Sequence, residues 1–206
     1  EDYLEFPFMR HAYVFSVCRI EPENNIHMLL EAFSGLPDRQ LVIVGNWNAS
    51  KYGRDLREQF GTCHNIRLLD PIYEPERLNL LRSNCFAYVH GHSAGGTNPS
   101  LVEAMYLGLP VLAYDVSFNR ATTDNQAFFF QNAAELATLL KDLRLNDYHT
   151  CAKAMGRIAD ERYTWRRVAE MYKNRIDWLT HAQSEAAGQA PRPVSPPAPQ
   201  PVATAS

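Results

Sequence analysis

Cysteine is scarce in this 206-residue chain: Cys18, Cys63, Cys85 and Cys151 are the only four, with no C-x-x-C pair and no zinc-ligand spacing. That excludes a disulfide scaffold and a structural zinc module. Cys18 and Cys85 sit in apolar runs, where a free thiol behaves as a small hydrophobe, so a reducing, cytoplasmic setting is expected. Basic charge is not in excess: 20 Lys and Arg stand against 23 Asp and Glu, a formal charge of −3. Nucleic acid and anionic membrane surfaces are therefore not expected partners. No apolar run approaches the ~20 residues of a membrane span. The opening residues, EDYLEFPFMRH, carry neither an initiator Met nor the cationic start of a secretory signal, and a natural start further upstream is expected. Asn48-Ala49-Ser50 matches a glycosylation triplet, which means nothing in a cytosolic chain. No internal repeat is visible.

What is present is the make-up of a globular domain, 46% hydrophobic and 11% aromatic, in a chain long enough to bury a sizeable core. Apolar runs that read as buried strands fall at Tyr13–Val17, Gln40–Val44, Ile66–Leu69, 85–89, Val111–Tyr114 and 127–130. Between them lie helical segments. Ile26, Leu29, Leu30 and Phe33 repeat at i, i+3, i+4, i+7, as do Leu136, Leu139, Leu140 and Leu143. Further helices are expected over about 51–60, 75–82, 99–107, 147–160 and 165–180. Strands alternating with helices at this spacing imply crossover units and a parallel sheet covered on both faces. The predicted fold is α/β, a doubly wound, Rossmann-like, six-stranded parallel sheet spanning residues 1–181. Ligands of such sheets bind at the carboxyl ends of the strands, so the loops after the first four strands are where a site belongs. Residues 182–206 hold six of the 13 prolines, seven alanines and no aromatic residue; a disordered tail is expected there.

The loop after the fourth strand reads His90-Gly91-His92-Ser93-Ala94-Gly95-Gly96-Thr97-Asn98-Pro99-Ser100, then Leu101-Val102-Glu103-Ala104-Met105. Two chemistries compete for it. Residues 91–95 fit G-x-S-x-G, a nucleophile elbow with Ser93 as nucleophile and Asp124 and His149 as the available partners. However, Pro99 would interrupt the helix that an elbow starts directly behind its serine. The other reading is an anion site. Asn98 is a good N-cap, Pro99 suits the first helical turn, and Gly95 and Gly96 allow close backbone approach. The helix start then offers free N–H groups and the positive end of its dipole to a diphosphate. Glu103, just past the first turn, is placed to accept hydrogen bonds from sugar hydroxyls. Arg19, directly after the first strand, supplies a planar cation suited to phosphate oxygens; a surface pair with Glu21 or Glu23 is the plainer alternative. No G-x-G-x-x-G follows the first strand, which sets a dinucleotide dehydrogenase aside. A non-catalytic nucleotide-binding module stays open.

The order Arg19…Pro22-Glu23-Asn24-Asn25, then VIVG at 42–45, then Asn98-Pro99-Ser100-Leu101-Val102-Glu103-Ala104-Met105 through Pro110-Val111 resembles the donor-binding half of retaining GT-B glycosyltransferases of family four. Tyr163-Thr164-Trp165 resembles the entry to that family's last helix. The finer pattern, PENN with GHSAGGTNPSLVEAM, is similar to a rhamnosyltransferase-type branch that builds bacterial surface polysaccharides. The resemblance implies a nucleotide-sugar substrate, no cofactor and no metal, a glycan or lipid-linked acceptor, and an N-terminal acceptor-binding domain outside this chain. It implies that Arg19 stabilises the leaving diphosphate. Gly95, Gly96 and the helix start at Asn98, Ser100 and Leu101 would hold the phosphates. Glu103, the second Glu of an E-x7-E motif, would hold the nucleotide sugar. Asn24 and Asn25 stand where the family usually has Lys. Ile72 and Tyr73 would meet the base, and Asn46 the same pocket, with Trp47 either at its border or in the core. The first Glu of the motif falls at Gly95, which argues against a glucose-type donor and suits a deoxysugar such as dTDP-rhamnose. His92, Ser93 and Thr97 are then the candidates for touching the sugar.

Overall fold

The structure, a computed structural model, describes residues 5–186. Six parallel strands form one sheet: β1 (Tyr13–Val17), β2 (Gln40–Val44), β3 (Ile66–Leu69), β4 (Ala87–His90), β5 (Val111–Tyr114) and β6 (Phe128–Phe130). Their order is β3-β2-β1-β4-β5-β6. The helices are α1 (Ile26–Ser34), α2 (Lys51–Phe60), α3 (Pro75–Ser83), α4 (Pro99–Tyr106), α5 (Ser117–Thr122), α6 (Ala133–Asp142), α7 (Leu145–Arg162) and α8 (Trp165–Ala186). This is the doubly wound, Rossmann-like arrangement expected from the apolar runs.

Alternation along each strand divides the core in two. Val14, Leu41, Ile43, Val89 and Leu112 face one side, where they meet Leu29, Leu30 and Phe33 of α1 and Leu136 and Leu140 of α6. Tyr13, Phe15, Val42, Val44, Tyr88 and Val111 face the other, against Leu101 and Met105 of α4 and Met155 and Ile158 of α7. Both faces are covered, so β1 and β2 are buried along their length rather than on alternate residues, with Ser16 the one polar side chain inside β1. Asn65 closes the turn from α1 into β2: its Nδ2 donates to Phe33 O, Leu36 O and Arg39 O at 2.8, 3.0 and 2.9 Å.

Four expectations shift. The fourth strand, expected over 85–89, runs from Ala87 to His90 because Cys85 still bonds back to Arg82 O at the end of α3 and ladder pairing starts with Phe86 N to Tyr13 O. His90 is thereby a strand residue paired with Ala113. The sixth strand starts at Phe128 rather than 127. Helix α5 was not expected, since SFNRAT has no apolar period. The proline-rich tail expected from 182 lies outside the described residues from 187 onward, and 182–186 continue α8. No helix among the described residues is long and apolar enough to cross a membrane.

Candidate functional site

In this strand order β1 and β4 are neighbours whose connections leave to opposite sides, and a crevice opens beyond their carboxyl ends. Two loops wall it. After β1 the chain makes a short 3-10 turn, Pro22–Asn24. Buried Asn24 donates Nδ2 to Arg19 O at 2.8 Å. Asn25 takes a left-handed conformation, φ 51°, and its Nδ2 donates to Gly91 O at 2.9 Å. From the other loop, the backbone N–H and the hydroxyl of Ser93 both donate to Glu23 O at 2.8 Å. Position 91 must be glycine for this seam to close, because a Cβ there would lie 2.3 Å from Asn24 O.

Helix α4 points its N-terminus into the crevice. Asn98 Oδ1 accepts from Ser100 N at 2.9 Å, and Pro99 occupies the first position, where a missing N–H costs nothing. Before it, Gly95 sits at φ 122°, a conformation that side chains rarely adopt, and a Cβ at Gly95 or Gly96 would meet no atom within 4 Å. The space beside Gly95 belongs to the cleft, which encloses about 450 Å³. Cys18, Arg19, Glu23 and Asn24 wall it on the β1 side, and His92, Gly95, Asn98 and Ser100 on the β4 side.

Arg19 is 80% exposed and its only ion pair among the described residues is with Glu21 at 3.2 Å. Such an open pair is worth little and leaves the guanidinium free to meet an anion. Burial pushes the Cys18 thiol up to about 12, so it is a neutral wall rather than a nucleophile. His92 stacks flat on His90, ring centroids 4.1 Å apart and planes within 6°. His90 is wholly buried, and neither of its ring nitrogens has a hydrogen-bond partner among the described residues; the same holds for His92 Nδ1. Burial holds His90 well below the ordinary imidazole range. Burial, aided by the Arg19 charge, brings His92 down to about 4. Both rings are neutral at pH 7.

Arg19, Asn24, His92, Gly95, Asn98 and Ser100 of the expected site are thus gathered on the cleft wall, while Asn25, Ser93, Gly96 and Thr97 belong to the same two loops. Others stand apart. Asn46 is exposed, with Oδ1 accepting from Asn48 N. Trp47 is wholly buried, its Nε1 donating to Leu69 O at 2.9 Å, which makes it a core residue. Ile72 packs against the core and Tyr73 is 83% exposed; neither is on the cleft wall. The Leu101 side chain is in the core, leaving only its backbone near the helix start. Glu103 pairs with buried Arg82 at 2.7 Å, a partner that nothing in the sequence motif announced. The elbow alternative is corrected. The Ser93 hydroxyl is spent on Glu23 O, Asp124 pairs with Arg162 at 2.8 Å, and the helix begins six residues after the serine. His90, Glu23 and Asn119 were missed. His90 was legible as the residue two before His92 on one strand face; Asn119, which donates Nδ2 to His92 O at 3.0 Å, was not, because it sits on the unforeseen α5.

The family model described as Glycosyl transferases group 1 matches residues 6–162. Among solved structures, the fold is similar to Alr3699/HepE of Anabaena in complex with UDP-glucose: TM-score 0.68, 19% identity, 83% of this chain and 51% of that one. It is also similar to a sucrose-phosphate synthase from Thermosynechococcus elongatus, with TM-score 0.71, 19% identity, and coverage of 88% and 49%. The C-terminal domain of a glycosyl transferase group 1 family protein (LpcC) from Francisella tularensis aligns with TM-score 0.65 and 15% identity, over 80% of this chain and 94% of that one. The chain spans about half the length of the first two structures.

Proposed function

Since this chain belongs to the glycosyl transferases group 1 family, we propose that it is the donor-binding half of a retaining GT-B glycosyltransferase that transfers a sugar, L-rhamnose from dTDP-rhamnose, to a glycan or lipid-linked acceptor held by a second domain. The observation that carries the reading is the juxtaposition of Arg19 and the N-terminus of α4 on one 450 Å³ cleft. Cleaving a sugar–phosphate bond leaves charge on the diphosphate. A guanidinium and a helix start aimed at that charge stabilise the transition state without reorganising. This chain's part needs no metal ion, because Arg19 and the helix dipole carry the positive charge. Gly95 leaves no carboxylate at the first position of the E-x7-E motif, which favours a donor with fewer hydroxyls to satisfy. The structure of HepE with UDP-glucose makes UDP-glucose the natural rival ligand.

Calorimetric titration of the chain with dTDP-rhamnose, dTDP, UDP-glucose, UDP and GDP-mannose tests the reading. Binding of the dTDP ligands alone supports the rhamnosyl donor. Preference for UDP or GDP ligands keeps the donor domain and discards rhamnose. In Arg19→Ala, diphosphate affinity is expected to fall at least tenfold, the loss of a charge-assisted contact; unchanged affinity would remove Arg19 from the site.

A further inference from the structure

The column of rings under the cleft has a use that the diphosphate leaves vacant. Tyr88, His90 and His92 alternate along β4 and its extension, on one face: Tyr88 stacks on His90 at 6.1 Å and His90 on His92 at 4.1 Å. The inner end is anchored in the core and the outer ring reaches the cleft wall. A buried imidazole with unpartnered nitrogens costs free energy that a phenyl ring of similar size would not. Meanwhile several polar side chains of these loops are spoken for. Asn24 is bonded to Arg19 O, Asn25 to Gly91 O, Ser93 to Glu23 O and Asn98 to Ser100 N. Of the other polar groups on the cleft wall, Glu23 is exposed and the Ser100 hydroxyl is held by no partner among the described residues, whereas the His92 ring is clamped.

We infer that His92 is the residue that reads the transferred sugar, hydrogen-bonding one of its hydroxyls through a ring fixed by His90, and that His90 is its positioning residue. This rests on the donor reading proposed above. A neutral imidazole adds nothing to phosphate binding, which needs positive charge, but both donates and accepts, as a sugar hydroxyl does. Its neutrality follows from the same burial that fixes it. Of the three loop residues that the sequence offered for the sugar, Ser93 is used in holding the loop and Thr97 is exposed and off the cleft wall.

The test separates the sugar from the diphosphate. Affinities for dTDP and dTDP-rhamnose, and for UDP and UDP-glucose, are measured on the chain and on His92→Phe and His92→Gln. The ratio of nucleotide-sugar to nucleotide affinity is expected to drop about tenfold in His92→Phe, the worth of one hydrogen bond. Glutamine, which also donates and accepts, is expected to restore most of it. A readout on the unaltered chain guards against a misfolded variant: the ¹⁵N shifts of the His92 ring should move on adding the nucleotide sugar but not the nucleotide. For the positioning role, His90→Ser should let the His92 ring titrate nearer the ordinary range, whereas His90→Phe should not. If nucleotides bind but the sugar increment and the ¹⁵N shifts ignore His92, the inference is overturned and the donor domain stands. If no nucleotide binds at all, the donor reading itself fails and takes this inference with it.

Discussion

Arg82 and Glu103 illustrate how a single residue acquires meaning from its partner. Arg82 is almost wholly buried, with Nη2 2.7 Å from a Glu103 oxygen, Nη1 3.1 Å from Asn79 Oδ1 and Nε without a partner among the described residues. Neutralising Glu103 leaves a buried guanidinium short of its counter-charge. Glu103→Gln is therefore expected to lose stability, by about 1–3 kcal/mol, in addition to any loss of ligand. Urea denaturation of Glu103→Gln, Arg82→Met and the double variant checks this. A coupled pair makes the double variant less unstable than the sum of the two singles; strict additivity would mean the contact carries no energy. The sequence displayed Glu103 plainly inside its motif, but Arg82 lies 21 positions earlier on a different helix. Only packing brings them together.

At the scale of elements, the cleft depends on how two loops and one helix start are joined. The Gly91 position is the tightest point, with backbone of the Pro22–Asn24 turn occupying the place of a side chain. Gly91→Ala is expected to push the loops apart, at a cost of about 1–3 kcal/mol, and to weaken nucleotide binding with it. Loss of stability with fully retained nucleotide affinity would show that the seam does not shape the cleft. Asn98→Ala removes the cap of α4 and is expected to cost about 1 kcal/mol in the same denaturation assay. The existence and type of these elements were legible in the sequence, because continuous apolar runs and i, i+3, i+4 stripes reflect burial directly. Helix α5 was not. At six residues with Asn119 and Thr122 as its buried positions, its inner face is polar and its stability comes from contacts such as Asn119 Nδ2 to Tyr114 O at 2.9 Å.

For the whole molecule, the stacked histidines set an acid limit. The unfolded chain takes protons on both rings near pH 6.5, whereas in the folded chain His92 waits until about 4 and His90 is held well below its usual range. Between those values the unfolded state binds more protons, so stability is full above about pH 6.5 and declines as pH falls toward 4. Each ring contributes a slope of up to about 1.4 kcal/mol per pH unit. Urea midpoints at pH 7.5, 6 and 5 should fall in that order, and His90→Phe should flatten the trend. A flat profile in the unaltered chain would contradict the buried, neutral pair. The same two rings link fold and site: one lies in the core, the other on the cleft wall.

The layers and the loops follow from the order of residues along the chain. Runs such as QLVIV (40–44) must be buried on both faces, stripes such as Ile26-Leu29-Leu30-Phe33 must cover them, and Asn98-Pro99 must start a helix. These are local consequences of side-chain periodicity and backbone chemistry. Which loops make the cleft depends on how the strands are ordered in the sheet. Strand order placed β1 beside β4, so the first and fourth loops wall the site, while Asn46, Ile72 and Tyr73 after β2 and β3 stay off its wall. Packing also decides which polar groups are free. Ser93 and Thr97 look no less available than His92 when read along the chain. The Ser93 hydroxyl is taken by Glu23 O, remote in sequence, and Thr97 stands exposed off the cleft wall, whereas stacking holds the His92 ring on it.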